Sequence, residues 1–396
     1  MDRPVPRPKP ATLPRRAVLT LIVSCSFALA ASGCGGEAAE AAAEPVRLGM
    51  LLPLSGGSAA SGLAMQAAAQ LTVDDANAAG GVLGRPVELI VEDDRCDPQS
   101  AVEAANRVVS AGAIVSVGGY CSSATVPTLR VFDDASVPMV IPAANSSDLL
   151  TPRHPGVFLL SATVDSEALA AVPWMASLGA KRVAFVHDGT SYSLNLAQAG
   201  EKAIATADQP TEMVTAATLQ VAQGSTDLGA TARAVVEADT DLVYYTGYEP
   251  DAVQLAGDLE RAGYEGTFMG ADGVVGNEYL TEAPRILGRD VYATVPPLAE
   301  HTPGAAAWTE RFTEETGVEA IPYTLQAADA VTLALDAISR AESQDGEAIT
   351  QAIAATQGLD LLTGPCSFDG GNVRVDVPFT LLRSGTDGVT SLGTSS

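Results

Sequence analysis

An α/β fold of two doubly wound, Rossmann-like lobes is predicted from three features of this sequence. Between residues 46 and 269, short strand-like runs alternate with helix-like stretches. Most of these strands are continuously apolar instead of alternating, which is the pattern of parallel strands covered by helices on both faces. The same βα grammar also occurs twice in succession, once before about residue 150 and once after it. With 396 residues, 47% of them hydrophobic, the chain can bury more than one core. Aromatics make up only 5% of the composition, so those cores must be built from Ala, Val and Leu.

The first series opens with a strand over 46–52 and a helix over 63–79 that Gly80 and Gly81 stop. A strand over 87–91 follows, then a helix over 98–111 with Asp97 as its N-cap and Pro98 at its first position. Residues 113–117 form a short apolar strand, 122–134 a helix and 138–141 a fourth strand. The second series has strands over 182–186, 212–216, 242–245 and 266–269. Its helices lie near 193–207, 227–238 and 251–262. Beyond residue 290 come a strand over 291–295, three helical stretches near 304, 325 and 348, and β-rich sequence over 373–382. Too few strands remain there for a third domain. The economical path takes the chain back to the first lobe and then across again, giving two lobes joined by several strands.

The amino terminus reads as an export signal. Arg15 and Arg16 precede an apolar run over 17–31 that ends in Ala31-Ser32-Gly33-Cys34. A basic region, a short apolar stretch and small residues before a cleavage point make a signal peptide, and the run is too short for a comfortable membrane span. Small residues leading into a Cys resemble a lipobox, which would make Cys34 a lipidated first residue. Position −3 is Ala31 in place of the usual Leu, and an ordinary secretory signal with an incidental Cys34 is the rival reading. Arg15-Arg16 leaves the general and twin-arginine export routes both open. The small, acidic stretch to residue 44 reads as a tether.

Export puts the cysteines in an oxidising compartment. Cys25 would leave with the signal and Cys34 would carry lipid. Cys96 and Cys121 each sit near the carboxyl end of a strand, and a bridge between them is the preferred pairing. Metal binding is the rival, without a CxxC or a nearby His to support it. Cys366 is left over and reads as a buried thiol. The formal net charge is −26, and the first 33 residues contain five of the 22 basic groups but one of the 48 acids. So acidic a surface repels phosphate backbones and anionic head groups, which argues against nucleic-acid binding; its plain role is solubility.

In open α/β sheets, ligands bind beyond the carboxyl ends of the strands. In the first lobe those ends carry Gly118-Gly119-Tyr120-Cys121-Ser122-Ser123 and Pro142-Ala143-Ala144-Asn145-Ser146. Small residues with free backbone N–H groups at a helix start suit a carboxylate or other small anion. In the second lobe the ends carry His187 to Tyr192, Thr246-Gly247-Tyr248 and Gly270-Ala271-Asp272. An ammonium would pair with Asp272 and a carboxylate with the first lobe, a pattern suited to a zwitterion. Each residue also has a structural role available: Ser122 as a helix cap, Asp272 as a turn residue, Tyr192 and Tyr248 as packing. His187-Asp188 invites a hydrolytic reading, but the chain has three His and no GxSxG elbow. It has no P-loop, zinc spacing or GxGxxG after the first strand either, so neither metal nor cofactor is expected.

Taken in order, several segments resemble the branched-chain amino-acid (leucine/isoleucine/valine) binding proteins of ABC importers, in lipoprotein form. They are Pro53-Leu54-Ser55-Gly56, residues 77–84, Asp93 to Pro98, Cys121-Ser122-Ser123, residues 137–144, residues 243–248, Phe268-Met269-Gly270, Gly364-Pro365 and Phe368-Asp369. The resemblance covers essentially the whole chain after the leader. It implies the type I periplasmic-binding-protein fold, in which three crossovers form a hinge and a central cleft closes on ligand. It divides the chain into a signal peptide (1–33), a tether (34–44), an N-terminal lobe (45–162 plus 297–374) and a C-terminal lobe (163–296 plus 375–396). The family's disulfide falls on Cys96 and Cys121, its carboxylate-binding serine on Ser122 and its backbone contact on Ala143. Its side-chain-contacting tyrosine falls on Tyr192, its carboxylate-binding tyrosine on Tyr248 and its ammonium-binding acid on Asp272. Four positions depart: the acid is commonly Glu, the family's Thr is Asn145, an aromatic position is Ser61, and the Gly after Tyr192 is Ser193. The amino-acid backbone site is thus expected, with the side-chain preference open. The implied role is a non-enzymatic, monomeric binder that is lipid-anchored on the outer face of the membrane and serves ABC permease subunits. A binder of short amides, urea or aromatic acids with the same fold, or a sensor or receptor subunit, is the alternative.

Overall fold

The computed structural model describes residues 44–206, 212–274, 276–299, 302 and 304–395. The leader, Cys25, the lipidation candidate Cys34 and nearly all of the tether lie outside the described residues. The first series gives β1 (Val46–Leu52), α1 (Ala59–Ala78), β2 (Val87–Asp93), α2 (Pro98–Ser110), β3 (Val115–Ser116), α3 (Ser122–Thr125), α4 (Leu129–Asp134), β4 (Met139–Ile141) and β5 (Val157–Leu159). These strands form an all-parallel sheet in the order β2-β1-β3-β4-β5. Asp97 caps α2 by accepting the Ser100 N–H at 2.7 Å, and Pro98 opens the helix without needing a donor of its own.

The second series gives α5 (Val164–Ser177), β6 (Arg182–His187), α6 (Ser191–Thr206), β7 (Val214–Gln220), α7 (Gly229–Glu237), β8 (Leu242–Tyr245), α8 (Glu249–Arg261), β9 (Thr267–Gly270), α9 (Asn277–Leu287) and β10 (Val291–Val295). Its parallel strands run β7-β6-β8-β9-β10, the same winding order as the first sheet. The chain then returns as α10 (Ala305–Thr316), α11 (Thr324–Ala341), α12 (Gly346–Ala354), β11 (Leu359–Leu361) and β12 (Gly364–Cys366). Phe312, Val331, Ile338 and Ile353 of this return pack with Leu48, Met50 and Met65 over one face of the first sheet. Its other face is covered through Val108 of α2 and Phe132 of α4. Finally β13 (Thr380–Gly385) pairs antiparallel with β10, and the β13–β14 (Gly388–Thr394) hairpin closes the edge of the second sheet. The second sheet carries α5 and α6 on one face and α7 to α9 on the other. The chain therefore crosses between the sheets three times: after β5, after β10 and before β13.

Several element boundaries differ from the sequence expectation. The helix expected over 122–134 is broken into α3, a 3₁₀ turn over Val126–Thr128 and α4, because Pro127 interrupts it. The strand expected over 212–216 lies later, as β7, and its exposed face on the sheet edge hides the apolar signal. The stretch 373–382 is not one strand. Val373 makes a single bridge to Leu159, then Asp376 at φ +55° and Pro378 turn the chain before β13. β5, three residues among prolines, was not anticipated, and neither were α5, α9, β11, β12 and β14.

Candidate functional site

The loops after β3 and β4 face those after β6, β8 and β9 across the cleft. Gly118, just past β3, lies so close to β1 that a Cβ there would sit 2.4 Å from the Leu51 nitrogen. That approach leads the chain through Tyr120 to Cys121, whose disulfide to Cys96 spans a Cα separation of 5.3 Å. The bridge ties the loop after β2 to the loop that starts α3. The Ser122 hydroxyl oxygen accepts the N–H groups of Asn145 and Ser146, both at 3.2 Å. It thereby holds the β4 loop and keeps its own O–H free to donate.

Asp272 is the centre of the cluster. It follows β9, is 3% exposed, and receives hydroxyls and an amide from both sides of the cleft. From its own lobe, Tyr192 donates to Oδ1 at 2.5 Å, and Gly273 N–H donates to the Tyr192 oxygen at 2.9 Å. From the first lobe, Asn145 Nδ2 donates to Oδ2 at 3.0 Å, and the Tyr323 hydroxyl donates to the same oxygen. Tyr323 precedes α11 at φ +73°, an uncommon left-handed setting for a bulky residue. The rings form a wall: Tyr192 and Tyr248 lie 5.3 Å apart, Tyr120 and Tyr248 6.5 Å, and Tyr120 and Tyr323 6.0 Å. Tyr120, Ala143, Tyr192, Tyr248, Asp272, Gly273 and Tyr323 enclose a cavity of about 10 Å³, room for about one water. At the rim, Ser146 and Ser191 hydroxyls meet at 2.6 Å, and Asp148 accepts from Ser191 and Asn195 at 2.7 and 3.1 Å.

Burial governs the electrostatics. It raises the Tyr192, Tyr248 and Tyr323 phenols well above their ordinary range and Tyr120 to about 12, so all four remain neutral donors. Burial also raises Asp272, opposed by the bonds from Tyr192, Tyr323 and Asn145. Among the described residues, no Lys, Arg or His hydrogen-bonds or pairs with it. A hollow of about 230 Å³ beneath β4 and β5 is larger, but it lies at the amino ends of those strands, opposite the end where such sheets bind ligands.

A match to the periplasmic binding protein family spans residues 45–388. The chain belongs to that family. Among its relatives, the Leu/Ile/Val-binding protein BraC3 of Rhizobium johnstonii is 31% identical, over 78% of this chain and 83% of that one. The leucine-, isoleucine-, valine-, threonine- and alanine-binding protein of Pseudomonas aeruginosa is 28% identical, over 83% of this chain and 87% of its own. A leucine-binding protein of Thermotoga maritima superposes with a TM-score of 0.79 at 23% identity, covering 88% of this chain and 98% of that one. At 23% identity this likeness shows the fold, the two-lobed periplasmic-binding type expected from the sequence. No described helix is long and apolar enough to cross a membrane.

Within this binding protein, the structure brings Asn145, Tyr192 and Asp272 into direct contact and places Ala143 and Tyr248 on the same cavity. Ser122 stands one step back, behind the β4 loop. Ser61 does not line the cavity; it lies beside Tyr120, which does. Ser193, where the family has Gly, accepts the Asp188 N–H at 2.9 Å and meets Thr246 at 3.2 Å. Three residues were missed. Tyr120 lies inside a quoted segment but received no role, and Tyr323 arrives only through the return crossing. Glu167 sits in the first turn of α5 behind Thr163, in a helix that the sequence reading did not anticipate. It is fully buried against Asp272.

Proposed function

We propose that this protein is an extracytoplasmic solute-binding lipoprotein that captures a branched-chain or other aliphatic amino acid between its lobes and delivers it to an ABC permease. One observation carries the reading: a buried acid, Asp272, ringed by neutral hydroxyl and amide donors and without a cation among the described residues. An ammonium group supplies that missing cation, while the Ala143 backbone and Tyr248 offer donors for a carboxylate and Ser122 holds the β4 loop beside them. The names of the relatives, which specify leucine, isoleucine and valine, support the aliphatic class. A neutral amide, urea or a bare aromatic acid brings no ammonium to Asp272, and for that reason those ligands are disfavoured.

Asn145 and Tyr323 reach Asp272 from the first lobe, so they engage it only when the lobes are shut. A ligand that touches both faces binds the shut form better, and that differential affinity drives closure. Delivery follows when the permease opens the lobes; no bond in the ligand is made or broken, and the protein needs no catalytic group or cofactor. The lobes correspond to residues 45–162 plus 297–374 and 163–296 plus 375–396, and Cys34 carries the anchor to the outer face of the membrane. Thermal unfolding against leucine, isoleucine, valine, alanine, acetamide, urea and benzoate tests the class. Aliphatic amino acids should raise the midpoint; a rise with acetamide, urea or benzoate alone would replace the substrate class while leaving the fold.

A further inference from the structure

Glu167 lies directly behind the ammonium-binding candidate. Its carboxyl is 0% exposed, and its Oε1 accepts three donors: Thr294 at 2.5 Å, the Asp272 N–H at 2.9 Å and Tyr244 at 3.3 Å. Oε2 is buried without any donor. The carboxyls of Glu167 and Asp272 are themselves in hydrogen-bond contact. The titratable groups facing the pair are Tyr192, Tyr244 and Tyr323, each neutral, and no Lys, Arg or His among the described residues pairs with either acid.

Two touching carboxylates without a cation are repelled strongly in a poorly polarisable interior, and a bare buried oxygen adds a desolvation cost. One proton removes both penalties. The donor inventory says where it sits. Asp272 already accepts three side-chain donors on its two oxygens, an arrangement that stabilises its anionic form. Oε2 of Glu167 has no donor to lose by becoming O–H.

We propose that Glu167 carries a proton on Oε2 and donates it to Asp272, acting as a positioning residue that fixes the acceptor and keeps the cleft at one negative charge. The functional part of this rests on the amino-acid reading above; the protonation does not. Glu167 on α5 and Asp272 after β9 belong to the same lobe, so the contact persists when the cleft opens. Burial holds the Glu167 carboxyl well above the usual carboxylate range, in agreement with the placement. An acid raised in the fold contributes stability below its unfolded pKa and loses it as pH rises through the folded value. Gln at this position keeps the Oε1 acceptor and supplies a permanent donor to Asp272. It therefore mimics the protonated acid without the titration.

The test compares wild type, Glu167→Gln and Glu167→Ala. Infrared difference spectra of the free protein at neutral pH, wild type minus Glu167→Gln, should show one protonated-carboxyl band; other buried acids cancel. The melting temperature of Glu167→Gln should gain on wild type progressively from pH 5 to pH 9. Leucine titrated calorimetrically should bind Glu167→Gln within about threefold of wild type, and Glu167→Ala at least tenfold more weakly. A difference spectrum with carboxylate bands alone, or a flat pH comparison, would overturn the protonation. A tenfold loss in Glu167→Gln would overturn the positioning role. Failure of leucine to bind wild type would count against the amino-acid reading and leave the infrared result to decide the pair.

Discussion

Replacing both Cys96 and Cys121 by Ala measures what the bridge between the β2 and β3 loops contributes. The bridge closes a loop with a sequence separation of 25. In the chain-entropy treatment, a loop of that length removes about 12 cal/mol/K from the unfolded chain, or about 3.5 kcal/mol at 25 °C. Cys121 is 1% exposed, so Ala is a better replacement than Ser, which would bury a hydroxyl. A chain with roughly 350 folded residues has an unfolding entropy of about 0.7 kcal/mol/K, so the midpoint should fall by about 5 °C. Urea unfolding and thermal unfolding should agree on this loss, and reductant should lower the wild type to a similar level without moving the double variant. A loss under 1 kcal/mol, or a reductant effect equal in both proteins, would refute the loop-closure reasoning.

Burial pushes the Asp94 carboxyl up to about 6, opposed by the Cys96 N–H that donates to it at 2.9 Å. Its stabilising share is therefore present below about pH 4 and lost as pH rises through 6; Asp94→Asn should match wild type near pH 4 and exceed it at pH 8 by up to about 3 kcal/mol in urea unfolding. Gly62→Ala sets a helix-propensity gain of about 1 kcal/mol against a Cβ placed 1.9 Å from the Pro53 carbonyl oxygen. Overpacking wins, and denaturant titration should show a net loss of about 2 kcal/mol or more. Asp329 is fully buried and accepts the Leu362 N–H at 2.7 Å and the Thr363 N–H and hydroxyl at 2.9 and 2.5 Å. Asp329→Ala should cost about 3 kcal/mol or more in the same assay, with Asp329→Asn losing less.

The parts of this fold that could be read from the chain are those whose cause is local. Asp97-Pro98 announces α2 by cap chemistry, and the apolar runs of β1, β6 and β8 announce buried strands, because parallel strands under two helical layers need no polar face. The rule for open sheets pointed to the strand ends that carry Ser122, Asn145, Tyr192, Tyr248 and Asp272, and the structure gathers Asn145, Tyr192, Tyr248 and Asp272 in one cluster. β7 was placed too early because an edge strand keeps polar residues, and β5 escaped because three residues are too short to show a period. Tyr323 enters the cleft only because the return segment packs α11 against α1, a tertiary fact invisible in local pattern. Glu167 was hidden because α5 itself was not read from the sequence, and only burial reveals the second carboxyl.

The central claim is that Asp272 receives a ligand ammonium. Isothermal titration of leucine into wild type and Asp272→Asn, at one pH and salt, tests it most directly. Removing one member of a buried charge pair costs about 3–5 kcal/mol, so the variant should bind at least a hundredfold more weakly while remaining folded. Equal affinity in the two proteins would contradict the account.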